Sequence, residues 1–315
     1  MSSWIAAATS YSTNDTPMIP FYIYYSMFGF QRVGDLAWAA GDMRSRGFLI
    51  GATAGRTTLN GEGLQHEDGH SHLFSATIPN CISYDPTFAF EVAVVVQDGL
   101  RRMVHEQEDV FYYLTVMNEN YQHPAMPEGA EAGILKGMYL FREGQGAKKK
   151  APRVQLLGSG TILREVIAGA DLLAQDFGIA ADIWSCPSFT ELRREAMAVE
   201  RWNLLHPTEA PRRPYVEECL GGREGPVIAA SDYMRLFADQ IRTWVPRRYR
   251  VLGTDGFGRS DYRRKLRDFF EVDRHWITIA ALKSLAEEGK VEPSVVADAI
   301  RKYDIDPSKP APWTV

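Results

Sequence analysis

The chain has 315 residues, 45% of them hydrophobic, and its 35 basic and 40 acidic side chains give a formal net charge of −5. That length allows two domains, each with a core of its own, and the acidic balance argues against nucleic acid as a partner, because a phosphate-binding surface carries a basic excess. No apolar run reaches the roughly 18 residues of a membrane span, Met1-Ser2-Ser3-Trp4 lacks a basic region ahead of a signal-like core, and the odd, widely spaced Cys81, Cys186 and Cys219 fit reduced thiols in the cytoplasm.

The chain opens at Trp4 to Tyr11 with what reads as the middle of a helix. Pro20 to Tyr25, rich in aromatic and β-branched residues, reads as a buried strand. A helix follows with Val33, Leu36, Ala37 and Ala40 on one face and stops at Gly41-Asp42, before a second strand at Phe48-Leu49-Ile50. Gly51, Gly55, Gly61 and Gly63 then indicate an irregular loop. Asp85-Pro86 is a helix opening, with Asp capping the free amides and Pro suiting the first turn. The helix it opens carries an apolar stripe at Phe88, Val92, Val95, Val96 and Met103. Val110 to Val116 is a near-continuous apolar strand of the kind found in parallel sheets covered on both faces.

Residues 144–152, with Lys148-Lys149-Lys150, read as a solvated linker between domains at 1–143 and 153–315. Beyond it the alternation restarts. Val154 to Leu157 is a strand, Gly158-Ser159-Gly160 turns into a helix striped by Ile162, Val166, Ile167, Ala170 and Leu173, and Ile183-Trp184 belongs to another strand. Ser188-Phe189-Thr190-Glu191 is a capping box, Val227 to Ala229 and Tyr249 to Leu252 are two further strands, and Trp276 to Tyr303 is a helical tail. Strand and helix alternating on both sides of a linker predict an α/β protein of two domains with mainly parallel sheets.

Three of the seven histidines fall in Gln65-His66-Glu67-Asp68-Gly69-His70-Ser71-His72, on the glycine-rich loop. Imidazole titrates nearest neutral pH, so the run suggests proton transfer, metal ligation or an anionic substrate. A metal hydrolase using His66, His70, His72 and Asp68 is the rival reading, weakened by Gly69, which interrupts any helix that would align His66 with His70. A hydrogen-bonded, inert histidine is the bland reading for any one of them. The glycine motifs are weaker. Gly51-Ala52-Thr53-Ala54-Gly55-Arg56-Thr57 is one residue short of a phosphate loop and has Arg for Lys. Gly158-Ser159-Gly160 has Leu163 at the third position of a dinucleotide fingerprint. Gly253-Thr254-Asp255-Gly256-Phe257-Gly258 has the wrong spacing, and reads as a turn needing unusual backbone angles.

The stretches Trp4–Thr13, Pro20–Arg32, Gly61–His72 and Gly253–Asp261 together resemble the homodimeric, bacterial type of pyruvate dehydrogenase, the acetyl-transferring first component of its complex. The resemblance covers essentially the whole chain. Glu67 to His72 is also similar to a stretch of transketolases, which implies a transketolase-like fold: part of a pyrimidine-binding domain followed by a transketolase C-terminal-like domain. It further implies thiamine diphosphate as cofactor, pyruvate as substrate and transfer of the acetyl group to a lipoyl group of the dihydrolipoyl acyltransferase, with the cofactor as electron sink and protein groups supplying position and protons. By the motif, Tyr25 and Phe28 sit at the aminopyrimidine ring, Phe28 as a stacking partner. His66 faces the substrate, and His72 is a second catalytic residue. His70, Glu62 and Asp68 hold the loop in shape. His105, His123, His206 and His275 receive no role.

Complete members of that family are far longer and carry a Gly-Asp-Gly…Asn motif that holds magnesium. The sequence has no such motif, and the acidic residue that activates the aminopyrimidine is expected upstream of Met1. The expectation is therefore one side of a cofactor cleft, with magnesium held outside this chain and the lone chain inactive, weak in cofactor binding and prone to associate through exposed sheet edges. The competing function is a non-catalytic dimerisation or docking module.

Overall fold

A computed structural model of the chain describes residues 1–144 and 151–315; the Lys148-Lys149-Lys150 run lies outside the described residues. Among the described residues nine strands form two sheets: β1 (Phe21–Tyr25), β2 (Phe48–Ala52), β3 (Cys81–Tyr84), β4 (Phe111–Thr115), β5 (Tyr139–Arg142), β6 (Arg153–Gly158), β7 (Ala180–Ser185), β8 (Val227–Ala230) and β9 (Tyr249–Leu252). The first sheet has the order β1-β2-β4-β3 and is parallel throughout. The second has the order β5-β7-β6-β8-β9 and is parallel except for β5.

Why β4 sits inside follows from its sequence. Every residue of Phe111–Thr115 is buried, and successive side chains point to opposite faces. Phe111 and Tyr113 join Trp4, Phe30, Ala37 and Leu49 in one layer. Tyr112 and Leu114 join Phe48, Val95, Met103 and Ile134 in the other. Burying side chains of this size stabilises the fold by about 1.5–3 kcal/mol each. At the end of the order β1 is covered on one face only: Phe21, Ile23 and Tyr25 are 51%, 66% and 45% exposed.

Three sequence expectations change. The strand Tyr139–Arg142, which precedes the predicted linker, pairs antiparallel with β7, so the change of sheet falls before residue 139 and not at 144–152. Asp85 does not cap the following helix, which spans Ala89–Leu100 and begins instead with the Glu91 carboxylate accepting from the Phe88 amide at 2.9 Å. Asp85 is engaged elsewhere, accepting from the hydroxyls of Thr115 at 2.7 Å and Ser159 at 2.8 Å. At Ser188 only half the capping box forms: its hydroxyl accepts from the Glu191 amide at 3.0 Å, while the Glu191 carboxylate turns to Arg194 at 2.8 Å.

The loops that leave the carboxyl ends of β2 and β3 meet those that leave β6 and β8. Asp232, after β8, accepts from the Thr57 amide at 2.9 Å and the Thr58 hydroxyl at 2.6 Å. Gly55, at φ +91°, passes so close to Asp232 that a Cβ would lie 2.2 Å from its carboxylate. In open α/β sheets this carboxyl edge is where ligands bind, and it is where the histidine run lies.

Candidate active site

Tyr25 ends β1, Phe28 closes the one-turn helix Ser26–Phe28, and His66 closes another at Leu64–His66. The fold brings the three rings together. The His66 ring lies 4.8 Å from Phe28, nearly edge-on, and 5.4 Å from Tyr25; the two aromatics are 6.1 Å apart. The Arg32 guanidinium covers Phe28 at 4.0 Å, a cation–π contact that fixes that ring. His66 Nδ1 is buried and has no hydrogen-bond partner among the described residues; the Glu62 carboxylate stands 3.8 Å away.

His72 is not part of that face. It is fully buried, stacked on Phe237 at 4.9 Å and edge-on to Tyr233 at 4.8 Å. Its Nε2 donates to the Thr115 hydroxyl at 2.9 Å, since that hydroxyl itself donates to Asp85 at 2.7 Å. Burial pushes the His72 imidazole down to about 4 and the Asp85 carboxyl up to about 7. The sequence expectation sets His72 beside His66 at the substrate; in the fold its ring packs on Tyr233 and Phe237, apart from the cluster of Tyr25, Phe28 and His66. The helix Ser71–Ala76 begins between them, and its His72 side turns into the seam of the two sheets.

His70 goes to a third place, against Gln31 and edge-on to Phe74 at 5.3 Å. The three imidazoles therefore do not converge, and no group of three or more potential ligands among the described residues could hold a metal ion. Asp68 ties the run together, one carboxylate oxygen accepting from the amides of His70 and Ser71 at 3.0 Å each.

Two groups that the sequence reading did not single out lock the loop in place. Arg56, in the stretch that resembles a phosphate loop, is buried and donates to the Thr254 carbonyl at 2.7 Å and to the Gly256 carbonyl. Glu67, beside His66, is wholly buried and accepts from the Arg259 amide at 2.6 Å; burial pushes its carboxyl up to about 8. Gly258 is the residue that permits the approach, because a Cβ there would stand 2.5 Å from the Leu64 carbonyl oxygen. The glycines of Gly253–Asp261 thus serve loop-to-loop docking, with Gly256 at φ +108°. Nothing in the spacing of Arg56 or Glu67 marks these partners, which lie almost 200 residues away in sequence.

Transketolase from Campylobacter jejuni superimposes with a TM-score of 0.64 at 17% identity, over 84% of this chain and 36% of its own. A split gene transketolase, described as an inactive beta4 tetramer, does so with a TM-score of 0.61 at 14% identity, over 90% of this chain and 81% of its own. The fold is thus that of the transketolase-like α/β proteins. Residues 1–124 match the pyruvate dehydrogenase E1 component middle domain and residues 137–273 the transketolase-like C-terminal domain. The pyruvate dehydrogenase E1 component of Pseudomonas aeruginosa is 70% identical over 313 residues, and that of Escherichia coli K12 62% identical over 312. The chain is thus similar over nearly its whole length to pyruvate dehydrogenase E1 components, and it spans about 35% of the length of these relatives.

Proposed function

We propose that the chain forms the pyrimidine and substrate side of a thiamine diphosphate-dependent pyruvate dehydrogenase, working in the cytoplasm on pyruvate and passing the acetyl group to a lipoyl domain of the acyltransferase. The observation that carries this reading is the convergence of the Tyr25, Phe28 and His66 rings at a partly open face. The fit to the cofactor is partial. Two aromatic rings suit a flat aminopyrimidine, whereas the described residues offer no carboxylate group for the magnesium that would carry a diphosphate. When bound, thiamine diphosphate supplies the electron sink for loss of carbon dioxide from a 2-oxo acid. The chain's share is to place the ring against Tyr25 and Phe28, and to hold a proton or a hydrogen bond at His66 where charge develops on the substrate. His72 acts one step removed, through Thr115 and Asp85, keeping the two sheets in register.

The domain boundary is placed at 125–136, between the two family matches and ahead of β5. A homodimer is the proposed assembly, supported by the uncovered row Phe21, Ile23 and Tyr25. The same row favours a second reading, in which the lone chain is a stable but inactive oligomer; the split transketolase neighbour, described as an inactive tetramer, has this extent. One experiment decides between them. The chain is titrated with thiamine diphosphate and magnesium, alone and together with the remaining two thirds of the relatives' length, and pyruvate-dependent acetyl transfer to a lipoyl domain is assayed. Weak binding and no turnover alone, with activity on reconstitution, are expected. No activity in the mixture would leave the oligomer reading, and tight binding by the lone chain would overturn the division of the cleft.

A further inference from the structure

The loop after β4, the start of the helix Ile162–Phe177 and the helices Arg263–Phe269 and Arg274–Glu287 enclose a second cavity of about 610 Å3, built without Tyr25, Phe28 or His66. Five arginines line it, Arg164, Arg263, Arg264, Arg267 and Arg274, against three carboxylates, Glu119, Glu165 and Asp273. The carboxylates are already shared. Glu119 accepts from Arg164 at 2.7 Å and from Arg267, and has Arg263 at 3.7 Å. Glu165 takes Arg274 on both oxygens, at 2.9 and 3.1 Å, with Arg267 at 3.5 Å. Asp273 caps its own helix, accepting from the amides of His275 and Trp276. Two positive charges on the wall thus remain uncompensated.

An ion-pair network joining the loop to the helices explains the pairs but not this surplus. Nor does it explain Arg267, which is 5% exposed while its Nε lacks a hydrogen-bond partner among the described residues. Guanidiniums in excess of carboxylates around a cavity, with N–H groups not spent on Glu119 and Glu165, match an oxyanion that can accept several of them at once, and phosphate is the group whose geometry suits them.

We propose that this cavity binds a small phosphate-type oxyanion, held by Arg164, Arg264 and Arg274, whose side chains reach solvent. The site communicates with the histidine run. Arg263 donates from Nε to the Thr58 carbonyl at 2.8 Å and from its amide to Asn60 at 3.3 Å, so an anion in the cavity steadies the chain that leads to His66.

The test is a titration of the full chain with inorganic phosphate at constant ionic strength, followed by calorimetry and by thermal melting, with sodium chloride as the matched salt. Saturable binding with a rise in Tm that chloride does not reproduce is expected. Arg264→Gln, on an exposed side chain, and Arg164→Gln should each weaken binding about tenfold, the size of one lost charge-assisted contact. Arg301→Gln, outside the cavity, should bind as the unaltered protein does. If Arg164→Gln melts early, Arg264→Gln alone decides. Non-saturable binding, an equal rise with chloride, or full affinity in Arg264→Gln would overturn the proposal.

Discussion

His66 and His72 stand six residues apart in one loop and have opposite surroundings. His66 lies between two aromatic rings at a partly open face, with a ring nitrogen left over. His72 is sealed between aromatic rings in the seam of the two sheets, with Nε2 spent on Thr115. On the proposed function, the difference sets a residue acting on a ligand apart from one that holds the scaffold, and it separates the consequences of removing either.

The largest effect is expected at His66. In the protein completed by its missing portion, His66→Ala should lower the rate of pyruvate decarboxylation by about 10²–10⁴-fold, the range for a lost proton-transfer group, while Tm stays within a degree or two. Steady-state rates and a melting curve on the same preparation check both halves. An unaltered rate would remove His66 from the proposed site.

His72→Ala should show the reverse. Loss of a fully buried ring leaves a cavity and removes one of the hydrogen bonds of Thr115, which keeps Asp85, at a cost of about 2–4 kcal/mol in unfolding free energy by urea titration. If His72→Ala is as stable as the parent but inactive, the contrast between the two histidines fails. The pH dependence sharpens it. His72 is depressed from 6.5 to about 4 in the fold, so the unfolded chain takes up a proton that the native chain refuses. The stability it allows is complete above about pH 6.5 and is lost as pH falls through 4, a loss of about 3 kcal/mol. Asp85 and Glu67 titrate in the opposite direction over this range, so the contribution of His72 is read as the difference between two proteins: from pH 7 to pH 4 the urea midpoint of the parent should drop relative to that of His72→Ala.

The sequence showed much of this unevenly. The parallel strands could be read because β4 and β6 are near-continuous apolar runs, and the convergence of Tyr25, Phe28 and His66 was legible only through family resemblance. β3 escaped because Cys81–Tyr84 is only four residues long, even though Pro79-Asn80 mark a turn before it. β5 escaped because its partner, β7, comes later in the chain. Asp85 was misplaced because local rules assign a carboxylate before a proline to a cap, and a partner across the seam, Ser159, outweighed that rule. His72 was named through resemblance to a transketolase histidine, and its packing against Phe237 across the same seam could not be read from the sequence. Adjacent positions in a loop say little about which way each side chain leaves it.

The smallest effect is expected at Glu67, the residue that joins the open histidine to the second sheet's loop. Its carboxyl is raised to about 8, so the fold keeps a proton that the unfolded chain gives up above about pH 4.5. The stability tied to that proton is present below pH 4.5 and is lost as pH rises through 8. Glutamine keeps the acceptor for the Arg259 amide and cannot ionise. Glu67→Gln should therefore match the parent near pH 5 and exceed it by about 1–2 kcal/mol at pH 9, with part of the alkaline slope remaining because Asp85, raised to about 7, titrates in the same direction. Equal stability of the two proteins across that range would mean that Glu67 is ionised in the fold, and that the Arg259 amide with Arg56 suffices to hold a buried carboxylate beside His66.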